Sequence, residues 1–199
     1  MDKAVLISIR PEWVEKIANG EKTIEVRKTQ PKLETPFKCY IYCTNKRPFL
    51  VWGDVFRGDW VMEFTRLSGY GRAEADRIWD VFNGHVAGEF TCNRVDAIAP
   101  ATEPYGIYNV DDDFVAQTRL VDGALWDYGK GATLYGWHIS KLQIYDSPKQ
   151  LSEFTWLRTK RDSMELYTLE RPPQSWCYVE ELQYCHCGAK MDSEEENDG

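Results

Sequence analysis

The sequence predicts an α+β chain dominated by β-strands, closed into a small barrel with short helices. Three observations lead there. Several short segments alternate apolar and polar residues with period two, the helical stretches are short, and no βαβ alternation or internal repeat appears. Roughly five to seven strands of this length usually close into a barrel or a curled sheet.

Ala4 to Arg10 alternates, with Val5, Ile7 and Ile9 on one side and Leu6, Ser8 and Arg10 on the other. Pro11 follows where a helix starts well, because the first turn does not need its missing N–H. Trp13, Val14 and Ile17 make a helical core stripe, and Gly20 closes it as a left-handed cap. Lys22 to Lys28 reads as a second strand. Ile24 and Val26 face one side, and Thr23, Glu25 and Arg27 face the other. Phe37 to Thr44 is a third strand, and Leu50 to Val55 a further short one.

Residues 57–83 read as an insertion with a helix over Ala73 to Phe82. Val86 to Ile98 returns to strand, with Gly88 marking a bulge or a close approach. A second, less regular insertion covers 101–130. In it Asp111 caps a short helix through Phe114, Val115 and Thr118. Leu134 to Tyr145 is a long strand, Leu151 to Phe154 a helical turn, Leu157 to Glu170 a polar loop, and Trp176 to Leu182 a last strand. One domain over 1–182 is expected, followed by an acidic, disordered tail over 183–199.

Composition narrows the functional classes. The chain has 199 residues, 43% of them hydrophobic and 14% aromatic, which is enough for a core. No apolar run approaches the roughly 20 residues of a membrane helix. No secretory signal is present either, so a cytoplasmic protein with reduced cysteines is expected. The net charge is −8, but the last nine residues hold five acids and no base; subtracting those five from −8 leaves −3 for the body. Such a body lacks the broad basic surface that duplex DNA demands. If nucleic acid binds, it does so as a short piece or a single base in a local pocket.

The sharpest local signal is Gly20-Glu21-Lys22-Thr23-Ile24-Glu25-Val26-Arg27. Glu25 and Arg27 share a strand face, and Lys22 stands where the chain leaves the turn. Lys22 and Arg27 together suit a phosphate or a carbonyl oxygen, with Glu25 ordering them or accepting a proton. The competing reading is a solvated face laced by surface ion pairs worth about 0–1 kcal/mol each.

This stretch, with Leu6-Ile7-Ser8-Ile9-Arg10-Pro11 before it, resembles the N-terminal signature of ASCH domains, whose pattern there is G-x-K-x-x-E-x-R. Gly88-Glu89-Phe90-Thr91-Cys92, Leu134-Tyr135-Gly136-Trp137-His138-Ile139-Ser140 and the stretch from Arg171 to Val179 are similar to ASCH proteins of the phage and prophage type. The resemblance implies a PUA-like barrel with a cleft beside the first helix. It also implies recognition of short single-stranded RNA or a modified nucleoside, and no cofactor. Arg10, Lys22, Glu25 and Arg27 would line that cleft. Some family members are similar to ribonucleases, and a small related amidohydrolase removes acyl groups from the N4 nitrogen of cytidine with a Lys, a Thr and a Glu. Its Lys falls on Lys22. Its Thr falls on Glu25, which is no hydroxyl nucleophile, and Thr23 is one residue out of register.

Further candidates come from single residues. His138 has a free pKa near neutral and could serve as a general base with Lys22 and Glu25; the alternative is a half-buried histidine bonded to a neighbouring strand. Trp137, Trp176, Tyr135, Tyr40 and Tyr42 could stack a base, although aromatics at period two are often core. Cys185-His186-Cys187, with Cys177 upstream, lacks the paired spacing of a zinc site, and no metal is expected. A protein-binding module using the two insertions competes with both the RNA reader and the hydrolase.

Overall fold

The structure is a computed structural model that describes residues 2–46, 81–102, 106–120, 123–160 and 163–183. The expected strand at 50–55, most of the insertion at 57–83, the tail from 184 and the 185–187 cysteine–histidine cluster lie outside the described residues.

Eight strands form one sheet: β1 Lys3–Ile9, β2 Ile24–Arg27, β3 Phe37–Cys43, β4 Val86–Ile98, β5 Leu134–Lys149, β6 Thr155–Lys160, β7 Ser163–Thr168 and β8 Trp176–Glu180. Their order is β2-β5-β4-β3-β1-β8-β6-β7, so among the described residues the sheet is open, with β2 and β7 at its edges. The expected closed barrel is corrected to this open sheet. β1 runs parallel to β3, with Val5 opposite Cys39, and antiparallel to β8, with Val5 opposite Tyr178. The other pairs are antiparallel.

β1 is buried on both faces, not on one. Val5, Ile7 and Ile9 join Cys39, Ile41, Phe90 and Trp137 in a first core, which helix α1 (Pro11–Ala18) covers with Val14 and Ile17. Ala4 and Leu6 face a second core with Tyr40, Phe154 and Val179. The central place of β1 explains this, because apolar side chains on both faces find cover when neighbouring layers pack on each side.

Register shifts interrupt the β4–β5 ladder at three points, one of them between Val86 and Gly88. Gly88 stands there because a Cβ would run into the Gln143 carbonyl oxygen. Helix α2 (Asp112–Thr118) is capped by Asp111, whose side chain accepts from Phe114 N at 2.7 Å. The Phe114 ring lies over Gly136 of β5, where a Cβ would come within 2.8 Å of it. A six-residue helix, α3 (Ala124–Gly129), follows, with no local signal in its residues to predict it. The expected polar loop at 157–170 is instead the β6–β7 hairpin, which lies at the edge of the sheet.

Candidate functional site

A cleft of about 700 Å³ opens where α1, β2, the end of β3, the α2–α3 region and the 172–174 turn converge. The chain reaches it through the cap of α1. Gly20 adopts φ 72°, and Glu21 N and Lys22 N both donate to Lys16 O, at 2.9 and 3.0 Å. Lys22 is thereby delivered to the head of β2, with its side chain turned inward.

Lys22, Glu25 and Arg27 meet there. Glu25 Oε1 lies 2.9 Å from Arg27 Nη2, and Glu25 Oε2 lies 3.4 Å from Lys22 Nζ. All three are buried, at 3%, 7% and 8% exposure. Lys22 Nζ also donates to Thr118 O at 2.7 Å, satisfying a free carbonyl at the C-terminal end of α2, where positive charge is favoured. Its ammonium stands 5.2 Å from the Trp13 ring centroid. Arg27 Nη2 donates to Ser8 O at 2.7 Å, while Arg27 Nε is buried without a protein partner.

The charges do not balance. Among the described charged residues lining the cleft, Arg10, Lys22, Arg27 and Lys46 are cations, and Glu25 is the one acid. Arg10 is at the rim, 61% exposed at its side chain and 3.8 Å from Glu12. In a protein of net charge −8 the described lining of this cavity is therefore net positive.

Burial pulls the Lys22 ammonium below its ordinary pKa of 10.5, and the Glu25 carboxylate partly restores it. The folded chain gives up this proton at lower pH than the unfolded chain does. Between the lowered value and 10.5 the unfolded state holds more proton, so stability should rise with pH in that interval. Denaturant melts of wild type and Lys22→Met across that range should diverge accordingly. A constant difference between them would mean that the ammonium is not buried.

The other expected residues part company with these three. Ile24 pairs with His138 and Glu25 with Trp137, so His138 shares the face of Ile24 and points away from Glu25. Its Nε2 bonds Asp96 Oδ2 at 2.7 Å and Arg94 Nη2 at 3.0 Å. The role of His138 as a base in the cleft is corrected to a partner of β4. Trp137 is fully buried, edge-on to Phe37 with centroids 5.9 Å apart, and is core rather than a stacking surface. Trp176 is half-buried against Trp137 and Tyr178, and its Nε1 donates to Thr29 Oγ1 at 3.0 Å; it does not line the cleft.

Of the aromatic candidates only Tyr42 lines the cavity, where Trp13 and Tyr128 join it. Trp13 packs against the first core beside the buried Val14 and Ile17, as its place in the α1 stripe predicts, and its half-buried ring also lines the cleft, which the stripe does not predict. No local signal marks Tyr128, which tertiary folding brings in from α3. Ser8 was also missed as a tie. Its Oγ donates to Pro173 O at 2.7 Å and its N to Ser175 O at 2.9 Å, while its own carbonyl takes Arg27.

The open, mostly β sheet with few short helices is the fold of solved ASCH structures. ASCH from Zymomonas mobilis is similar to the chain at 18% identity and a TM-score of 0.53, over 89% of this chain and 87% of that one. A mutant form of the same Zymomonas mobilis protein is similar at 17% identity and a TM-score of 0.50, over 89% and 88%. No family model matches the sequence, and no curated protein does. Among the described residues no helix is long and apolar enough to cross a membrane.

Proposed function

We propose that the chain recognises a short single-stranded RNA or a modified nucleoside in the cleft between α1, β2 and the 172–174 turn. One observation carries the reading: two buried cations share a single carboxylate on the wall of a cavity with two further cations at its mouth. A buried group of net positive charge is costly alone and gains most from an anionic oxygen. In this reading Lys22 and Arg27 hold phosphate or carbonyl oxygens, and Glu25 fixes the two cations or accepts a base amino group. Trp13 and Tyr128 offer ring faces for a base. Arg10 and Lys46 draw the phosphates in.

The test uses the rim, where substitution does not disturb the core. Short labelled single-stranded RNA is titrated against wild type and Arg10→Ala/Lys46→Ala over a range of salt. The double change should weaken binding about tenfold and flatten the salt dependence by roughly one to two phosphate contacts. Equal affinity and equal salt slope would remove the phosphate contacts from the proposal. The RNA is recovered and sized afterwards. Intact RNA supports a reader, whereas shortened RNA assigns hydrolysis to the same cleft.

A further inference from the structure

A second groove, of about 690 Å³, lies on the other side of the 172–173 turn from the cleft. It is built from the β6–β7 hairpin, β8 and the 170–173 turn. Trp156 and Tyr167 are register partners across the hairpin, with ring centroids 6.2 Å apart and planes inclined at 49°. Arg158 stands two residues along β6, on the same face as Trp156, with its guanidinium 5.3 Å from the Trp156 ring centroid. Arg171 adds a second cation and Glu170 one acid. Tyr167 is 45% exposed. Cys177 lies in the floor, its thiol pushed up to about 12 by burial, so it stays protonated and serves as apolar surface.

The groove and the cleft share two wall residues, Pro172 and Pro173. This ridge is held rigidly. Each proline fixes its own φ, and Ser8 anchors the turn through Pro173 O and Ser175 O while its carbonyl receives Arg27. A chain molecule lying in the cleft and crossing the ridge therefore meets two arginines and an aromatic pair next.

We propose that the Trp156–Tyr167–Arg158 groove is a second subsite of the cleft, which takes the nucleotide adjoining the one held at Lys22 and Arg27. This rests on the RNA reading of the cleft and narrows it, because a free nucleoside has nothing to place in the groove. Ring faces beside a guanidinium accept any base by stacking, and a guanidinium suits the bridging phosphate. Among the described residues the groove is lined by Arg158, Arg171 and Glu170, with Glu165 opposite Arg158 and bonded to the Tyr167 hydroxyl, and it continues a cleft lined by four cations and one acid, so the positive charge that suits a polyanion is concentrated in the cleft and at Arg171.

The test compares nucleoside 5′-monophosphates with single-stranded RNA of mixed sequence, on wild type and on Arg158→Gln/Tyr167→Ala. Both side chains are exposed, so the fold should survive, and a melting curve checks that it does. Wild type should bind the RNA about tenfold or more tighter than the monophosphates. The double variant should lose that advantage and keep its affinity for the monophosphates. RNA carrying 4-thiouridine should crosslink, on irradiation, to the peptide containing Trp156. If the variant keeps the full advantage and no crosslink forms on β6 or β7, the subsite is overturned. Monophosphates bound as tightly as RNA by wild type would overturn the subsite alone. No binding of either probe would overturn the cleft reading together with it.

Discussion

Glu25→Leu is expected to destabilise the fold by about 3–5 kcal/mol, the usual cost of leaving a buried charge unpaired. For a chain of this size that is roughly 10 °C in melting temperature. Among the described residues the carboxylate is the one acid within reach of both Lys22 and Arg27, at 3.4 and 2.9 Å, and all three groups are almost sealed from water. Without it two cations remain buried together, held among the described residues by the carbonyls of Thr118 and Ser8 and, for Lys22, the Trp13 ring. Glu25→Gln, which keeps an acceptor, should cost less. The triple change Lys22→Met/Glu25→Leu/Arg27→Met should recover part of the loss, since replacing a whole buried ion set by apolar groups is often close to neutral. It should also abolish RNA binding. A triple variant that is stable and still binds RNA would show that the cluster is structural only. A Glu25→Leu variant that melts with wild type would show that the carboxylate does not hold the cations.

Trp137→Ala should be comparably damaging, at about 3–5 kcal/mol, for a different reason. The ring is fully buried among Phe37, Trp176 and the first core, so truncation leaves a cavity that the strands of a paired sheet cannot close. Trp137→Phe should be mild by comparison, because it removes an indole N–H that is buried without a partner. Neither change should alter RNA affinity in the fraction that folds. Trp13→Ala should do the reverse: a small stability loss, and RNA binding weakened about tenfold through the lost ring face. Denaturant melts and RNA titrations on the three variants separate these outcomes. Unchanged RNA affinity in Trp13→Ala would exclude its ring from the site.

The strands that carry strong period-two patterns were legible in the sequence. β4 begins and ends at Val86 and Ile98, the stretch over which the sequence returns to strand. β5 runs past its expected end to Lys149, through Asp146, Ser147 and Pro148, because pairing with β4 continues and outweighs local turn preference. The β6–β7 hairpin was hidden because it lies at the edge of the sheet: Arg158, Leu166 and Tyr167 are exposed and, among its described side chains, only Leu157 is buried, too little to impose an alternation. α3 was hidden because its six residues follow an N-cap glycine, Gly123 at φ 79°, with no side-chain cap to announce them.

The cleft was half legible. Spacing alone puts Glu25 and Arg27 on one face, and the turn after Gly20 places Lys22 beside them. The same parity rule, applied across the β2–β5 register, sends His138 to the opposite face, and that register cannot be read from either strand in isolation. Trp13, Tyr128 and the proline ridge arrive from three other parts of the chain, so only the folded sheet assembles them.

Ser8 has a consequence for the order in which the molecule takes shape. Its contact with Pro173 spans 165 residues, and its strand β1 needs β8 on one side just as it needs β3 on the other. During synthesis β1 and β3 can meet early, but one flank of β1 stays unpaired until β8 emerges from the ribosome. Contacts of such sequence separation slow folding, because a long loop must close before they form. Arg27 cannot be held against both Glu25 and a ridge-anchored Ser8 until then. The cleft is thus among the last parts of the protein to be completed, and a nascent chain offers no finished binding site before its final strand is in place.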